Sequence, residues 1–309
     1  MKKIILITIL FLVNLIFSQT NKLNYTLIQR KMGIDYPYNS VISEKFNDKD
    51  ILKKKYQFLD SLNYYSINYK SFDNLNLRGY MVEPKKKGIY PVLIYNRGGN
   101  GDFGTVKPFF LLNFLSQIAN QGYIIIGSQL RGTSVSEGVD EFGGKDVNDV
   151  LSLFEIIDNL PNVDKNRIGV LGWSRGVMTN FLMLKKTNRI KTNISIAGQA
   201  DLFEMDRPEM FGVYRNRIPN YAKDSVVALK TRSSLLAIDS IQNKSISHFI
   251  IQGNKDVRVH IKNAFQFYNK LNSENHTTRL LVYENEGHDL ENVTDNLVGN
   301  IKDWLRKYL

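Results

Sequence analysis

From Pro91 onward the chain alternates short apolar runs with longer stretches whose apolar residues recur three and four apart. Val92-Leu93-Ile94-Tyr95, Tyr123-Ile124-Ile125-Ile126, Arg167-Ile168-Gly169-Val170, Ile194-Ser195-Ile196, His248-Phe249-Ile250-Ile251 and Arg279-Leu280-Leu281-Val282-Tyr283 read as buried strands. Between and after them, residues 108–121, 146–160, 177–184, 261–271 and 292–309 have helical spacing, the first opened by Pro108 and stopped by Gly122. This alternation predicts an α/β fold: a mainly parallel sheet with right-handed crossovers and helices on both faces. Ahead of it, residues 64–70 and 75–81 alternate with period two around Asp73-Asn74, which predicts an antiparallel hairpin. Two stretches break the pattern. Residues 21–62 are polar and tyrosine-rich, with 49–62 readable as one helix. Over 201–239 regular alternation stops, and Met205, Met210, Phe211, Tyr214 and Tyr221 fall among arginines, which predicts a small cap insertion over a site.

The amino terminus has a different character. After Met1-Lys2-Lys3 the chain is apolar from Ile4 to Phe17, interrupted only by Thr8 and Asn14, and reaches the small residue Ser18. That layout is a secretory signal peptide over 1–18. The apolar run is too short to span a bilayer comfortably, so no stable membrane insertion is expected after cleavage. With no cysteine in the chain, a disulfide framework and lipid attachment at cysteine are excluded. Export without disulfides fits a bacterial periplasm or exterior. The expected organisation is therefore a leader (1–18), an N-terminal extension (19–62) and one domain with a full core (63–309). Positive charge exceeds negative by 11, concentrated in Lys53-Lys54-Lys55, Lys85-Lys86-Lys87 and Lys185-Lys186. These runs lack interleaved aromatics and read as solvated faces, so no nucleic-acid partner is expected.

The chemistry centres on Leu171-Gly172-Trp173-Ser174-Arg175-Gly176, between a strand and a helix. A serine in such a turn, flanked by glycines that let strand and helix approach, is a nucleophile elbow; the alternative is an ordinary turn in which Ser174 caps the helix. The helix starting near Arg175 directs free N–H groups towards the place where an oxyanion would form. A serine needs a base, and the base needs an orienting acid. Of four histidines, His248 lies in a strand, His276 in a turn before one, and His260 at a helix start. His288 follows the last strand at the sheet's carboxyl edge, where sites in such sheets lie. Asp256 follows the preceding strand at that same edge, whereas Asp289 is too close to His288 in sequence and Asp239 precedes its strand. The order Ser174, Asp256, His288 is the one this kind of sheet produces. Asn96-Arg97-Gly98-Gly99-Asn100-Gly101, after the first buried strand, can present N–H groups to an anion. It lacks the Gly-Lys-Ser/Thr of a phosphate loop.

The region from Pro91 to the carboxyl end resembles the catalytic domain of the prolyl oligopeptidase family of α/β-hydrolases. The resemblance is carried by Arg131-Gly132, Gly143-Gly144-Lys145-Asp146 with Asp149, Gly172-Trp173-Ser174-Arg175-Gly176, Arg232-Ser233, Gly253 with Asp256 and Val259, and Gly287-His288. It implies an α/β-hydrolase fold and a Ser174–Asp256–His288 triad without metal or organic cofactor. It also implies an oxyanion hole from the Arg175 amide and the Arg97-Gly98-Gly99 loop. Relatives usually have an aromatic or histidine where this chain has Arg97, so the second donor is either the Gly98 amide or the Arg97 guanidinium. Relatives that are oligopeptidases also carry a β-propeller, which the short N-terminal extension cannot form. The expectation is a secreted serine hydrolase acting on a small peptide or ester, with carboxylesterase and non-catalytic binding protein as alternatives. Arg97 and Arg175 beside the nucleophile would favour substrates bearing a carboxylate.

Overall fold

The computed structural model describes residues 24–30, 41–48, 51–203, 207–241 and 243–309. The leader expected over 1–18 lies outside them. Nine strands form one sheet: β1 (Tyr25–Arg30), β2 (Leu62–Lys70), β3 (Asn76–Pro84), β4 (Tyr90–Asn96), β5 (Ile124–Ser128), β6 (Val163–Trp173), β7 (Ile190–Ile196), β8 (Ser247–Gly253) and β9 (Thr278–Tyr283), in the spatial order β1-β2-β3-β5-β4-β6-β7-β8-β9. The first three strands and the β3–β5 pair are antiparallel. From β5 through β9 every pairing is parallel.

The apolar runs have no period-two alternation because both faces of the sheet are covered. Val92 and Ile94 of β4 point into one core, shared with Phe154, Phe181 and Phe267 of the helices Leu153–Asn159, Arg175–Leu184 and Lys262–Ser273. Leu93 and Tyr95 point into the other, shared with Leu115, Ile301 and Trp304. The stretch predicted as one helix over 108–121 is regular only at its ends, Pro108–Phe110 and Ser116–Ala119; Leu111–Leu115 between them is a π-turn. There the Ser116 hydroxyl donates to the Leu111 carbonyl at 2.8 Å. The wider turn sets Phe110 and Phe114 edge-on to the Trp173 ring, at 6.0 and 5.4 Å between centroids. Such π-turns occur disproportionately beside functional sites.

Three stretches show more detail than the sequence pattern predicts. The N-terminal extension joins the domain's sheet, where Tyr25–Arg30 adds a strand by pairing with β2. The single helix expected over 49–62 is a short strand at Ile51–Leu52 followed by a 3₁₀ helix, Lys54–Ser61. The cap region carries three short helices, Met210–Arg217, Ser225–Lys230 and Ser234–Ile238. Each adds to the core, through Tyr214, through Ala228 and Leu229, and through Ala237 and Ile238, the last beside the Arg175–Leu184 helix.

The loop after β5 is fixed by a buried ion cluster. Arg131 holds Asp149 through Nη2 at 2.6 Å and the hairpin-turn residue Asp73 at 2.7 Å, while its own amide donates to Asp149 at 3.0 Å. Asp73 therefore docks the antiparallel hairpin onto the helix Asp146–Leu151. Arg131→Met would strand the Asp149 carboxylate, which is fully buried. The expected cost is about 3–5 kcal/mol of unfolding free energy, read from urea denaturation. A loss under about 1 kcal/mol would mean that water or another cation replaces the guanidinium.

Candidate active site

Four strands deliver their following loops to one edge: Gly98 after β4, Ser174 after β6, Asp256 after β8 and His288 after β9. A cavity of about 980 Å³ opens there, and Ser174, His288, Gly98, Trp173, Phe110 and Tyr214 are among the residues that line it.

Ser174 has φ 56° and ψ −121°, a conformation with positive φ that non-glycine residues rarely adopt. The turn is that sharp because the helix starts at once: a Cβ on Gly176 would run into the Asn96 carbonyl oxygen of β4, so no larger residue fits there. The Ser174 amide donates to the Ile196 carbonyl at 2.8 Å, locking the elbow to β7. Its hydroxyl makes no capping hydrogen bond, so the helix-cap alternative has no support in the geometry.

Asp256 is buried, and each oxygen is committed. Oδ1 accepts from the Arg258 and Val259 amides at 2.8 and 2.9 Å; Oδ2 accepts from Gln252 Nε2 at 2.9 Å and lies 2.8 Å from His288 Nδ1. Burial works against the charge on this carboxyl, but the hydrogen bond from His288 and those from the two amides outweigh it and hold its pKa below the ordinary aspartate value. A carboxylate facing Nδ1 makes that nitrogen the donor and leaves Nε2 as the basic one. The His288 carbonyl in turn accepts from the Trp173 indole N–H at 3.1 Å, which ties the histidine loop to the residue before Ser174.

The structure thus brings Asp256 into contact with His288 and sets His288 and Ser174 on one cavity. Of the other histidine and aspartate candidates, Asp289 also lines this cavity, whereas His248, His260, His276 and Asp239 do not. His248 and His276 are buried against each other, at 4.9 Å between ring centroids. Asp239 pairs with Lys270, and Asp289 with Arg258. Gly98 does lie against Ser174: a Cβ built on it would stand 3.2 Å from the Ser174 Cβ and 3.8 Å from its Oγ.

The guanidinium of Arg97 is not a donor to the site, contrary to one of the two expectations for it. It is buried behind the loop, where backbone carbonyls occupy it. The Arg175 guanidinium is likewise committed to other partners. Its side chain is buried in ion pairs with Asp140 at 2.6 Å and Asp146 at 2.8 Å, and Nη1 donates to the Gly99 carbonyl at 3.0 Å. Burial alone would raise the Asp140 carboxyl, but Arg175 and the Gly101 and Phe142 amides hold it at about 2. Neither arginine therefore supports selection for carboxylate-bearing substrates.

Sequence reasoning missed three contributors. Gln252 had a signal, as the one amide in the apolar strand Phe249-Ile250-Ile251-Gln252. Asp140 and the Trp173 indole had none, because their contacts bridge 35 and 115 residues. Among the described residues no group of three or more His, Cys, Asp or Glu side chains is placed to hold a metal ion. No described helix is long and apolar enough to cross a membrane.

Comparison with known proteins bears on the family and the fold. The family model of the prolyl oligopeptidase family matches residues 111–309. An uncharacterized peptidase of Bacillus subtilis, YtmA, is 28% identical over 210 residues, which is 67% of this chain and 79% of the relative. A probable dipeptidyl-aminopeptidase B of Ajellomyces capsulatus is 25% identical over 88% of this chain, which spans only 31% of that protein's length. An acetyl xylan esterase from Paenibacillus sp. R4 superimposes with a TM-score of 0.63 at 18% identity, over 93% of this chain and 89% of its own. The sheet order, the elbow and these matches lead to one conclusion: the chain belongs to the prolyl oligopeptidase family and is a serine hydrolase of the α/β-hydrolase fold.

Proposed function

We propose that the protein cleaves amide or ester bonds of small substrates through a Ser174–His288–Asp256 triad and an acyl-enzyme, as a prolyl oligopeptidase-like serine peptidase. Ser174 Oγ attacks the substrate carbonyl while His288 Nε2 takes its proton. The imidazolium formed is stabilised by Asp256 and returns the proton to the leaving amine or alkoxide. The Arg175 amide and an amide of the loop beginning at Gly98 hold the tetrahedral oxyanion. Water activated by the same histidine then releases the acyl group. No step calls for a cofactor. The observation that carries this reading is the 2.8 Å contact of His288 Nδ1 with a buried, fully hydrogen-bonded Asp256, on the cavity that also holds the strained Ser174.

A fluorophosphonate probe is expected to label the purified protein at Ser174 and to leave Ser174→Ala unlabelled. Labelling of another serine, or none in folded protein, would overturn the assignment. Peptidase and carboxylesterase share this machinery, so paired libraries of esters and aminoacyl amides decide between them: amide turnover supports the peptidase reading, and turnover of esters alone refutes it. Export rests on the leader at 1–18, and a mature amino terminus shortly after Ser18 in the secreted protein is the expected result.

A further inference from the structure

Arg97 is the largest of the side chains that are almost completely buried, at 1% exposed. A buried cation is costly unless its donors are satisfied. Here Nε donates to the Gln129 carbonyl at 3.0 Å, Nη1 to the Gly98 and Phe103 carbonyls at 2.9 and 3.1 Å, and Nη2 to the Gly101 carbonyl at 2.8 Å. All four partners are backbone oxygens, three of them within residues 98–103. The loop is wrapped around the guanidinium, and its far end returns so closely that a Cβ on Gly104 would stand 2.5 Å from the Gly98 carbonyl oxygen. From outside, the Arg175 side chain and Asp140 grip the same loop at the Gly99 carbonyl and the Gly101 amide. Burial, helped by the neighbouring Arg175, lowers the Arg97 pKa to about 10, which leaves it charged at neutral pH.

In a trans peptide the carbonyl and the N–H point in opposite directions. Arg97 draws the Gly98 carbonyl inward, so the N–H of that same peptide, belonging to Gly99, faces away from the guanidinium. Both glycines line the cavity that holds Ser174. We propose that this N–H is the second oxyanion donor and that Arg97 is its positioning residue: the guanidinium fixes the plane of the Gly98–Gly99 peptide and polarises it, so that a backbone amide serves as donor. The inference rests on the triad reading above and assigns to Arg97 a role that neither touches substrate nor depends on its identity. A fork is required, because a lysine at 97 reaches fewer of the carbonyls.

The test compares wild type, Ser174→Ala, Arg97→Met, Arg97→Lys and Arg97→Ala as full chains on p-nitrophenyl butyrate, each per mole of folded protein measured by thermal unfolding. Arg97→Met is expected to lose about 10²-fold in kcat, the scale of one misplaced oxyanion donor, with KM within about threefold. In Arg97→Ala, added methylguanidinium should restore at least about tenfold where methylammonium does not. A folded Arg97→Met with wild-type kcat, or a loss confined to KM, overturns the proposal. If Arg97→Met does not fold, Arg97→Lys decides: a loss of about tenfold in kcat is expected, and none refutes it. Turnover retained by Ser174→Ala would instead refute the triad, whereas a dead Ser174→Ala beside a fully active Arg97→Met refutes only the role of Arg97.

Discussion

Turnover by Ser174→Ala is expected to fall by about 10⁶-fold, to what binding and oxyanion contacts alone provide, with folding unimpaired. The magnitude follows from removing the proposed nucleophile while its base and the oxyanion donors stay in place. His288→Gln should cost nearly as much, and the double variant little more than either single one, because the two side chains act in one step. Additive losses in steady-state kinetics on an activated ester would show instead that His288 and Ser174 work independently.

Asp256→Asn is the second large effect, a fall in kcat of about 10⁴-fold. The amide would present an N–H to His288 Nδ1, forcing the proton to Nε2 and removing the base from the Ser174 side. The Arg258 and Val259 amides still have an acceptor at this position, so the fold should survive. The variant also has a signature in acid. A carboxyl whose folded pKa is depressed contributes stability that is fully present above its unfolded value near 4, and is lost as pH falls through the lower folded value. Wild type should therefore lose stability more steeply than Asp256→Asn below about pH 4, as read from urea unfolding at stepped pH. Parallel curves would indicate that Asp256 is not preferentially ionised in the folded protein.

The sheet was readable because its central strands are unbroken apolar runs, a pattern that burial on both faces imposes. The placement of Ser174, Asp256 and His288 along one edge was readable because each follows such a run, and chain order alone brings it there. Arg97 and Arg175 were misread for the opposite reason. Their positions beside the nucleophile are fixed by the backbone, but where their side chains point depends on Asp140, Asp146 and a ring of carbonyls, none of them sequence neighbours apart from the Gly98 loop. Proximity along the chain suggested cations facing substrate, while their partners turn both inward. The β1 strand was hidden in a polar stretch because an edge strand buries only part of one face, and the π-turn at Leu111–Leu115 keeps the same apolar spacing as an ordinary helix.

The left-handed backbone at Ser174 has an evolutionary corollary. Such a conformation in a residue with a side chain costs about 1–3 kcal/mol, and glycine would relieve it at a stroke. Under the proposed mechanism, heat resistance and catalysis are thus opposed at a single codon: the substitution that relaxes the elbow most completely also deletes the hydroxyl assigned to the attack.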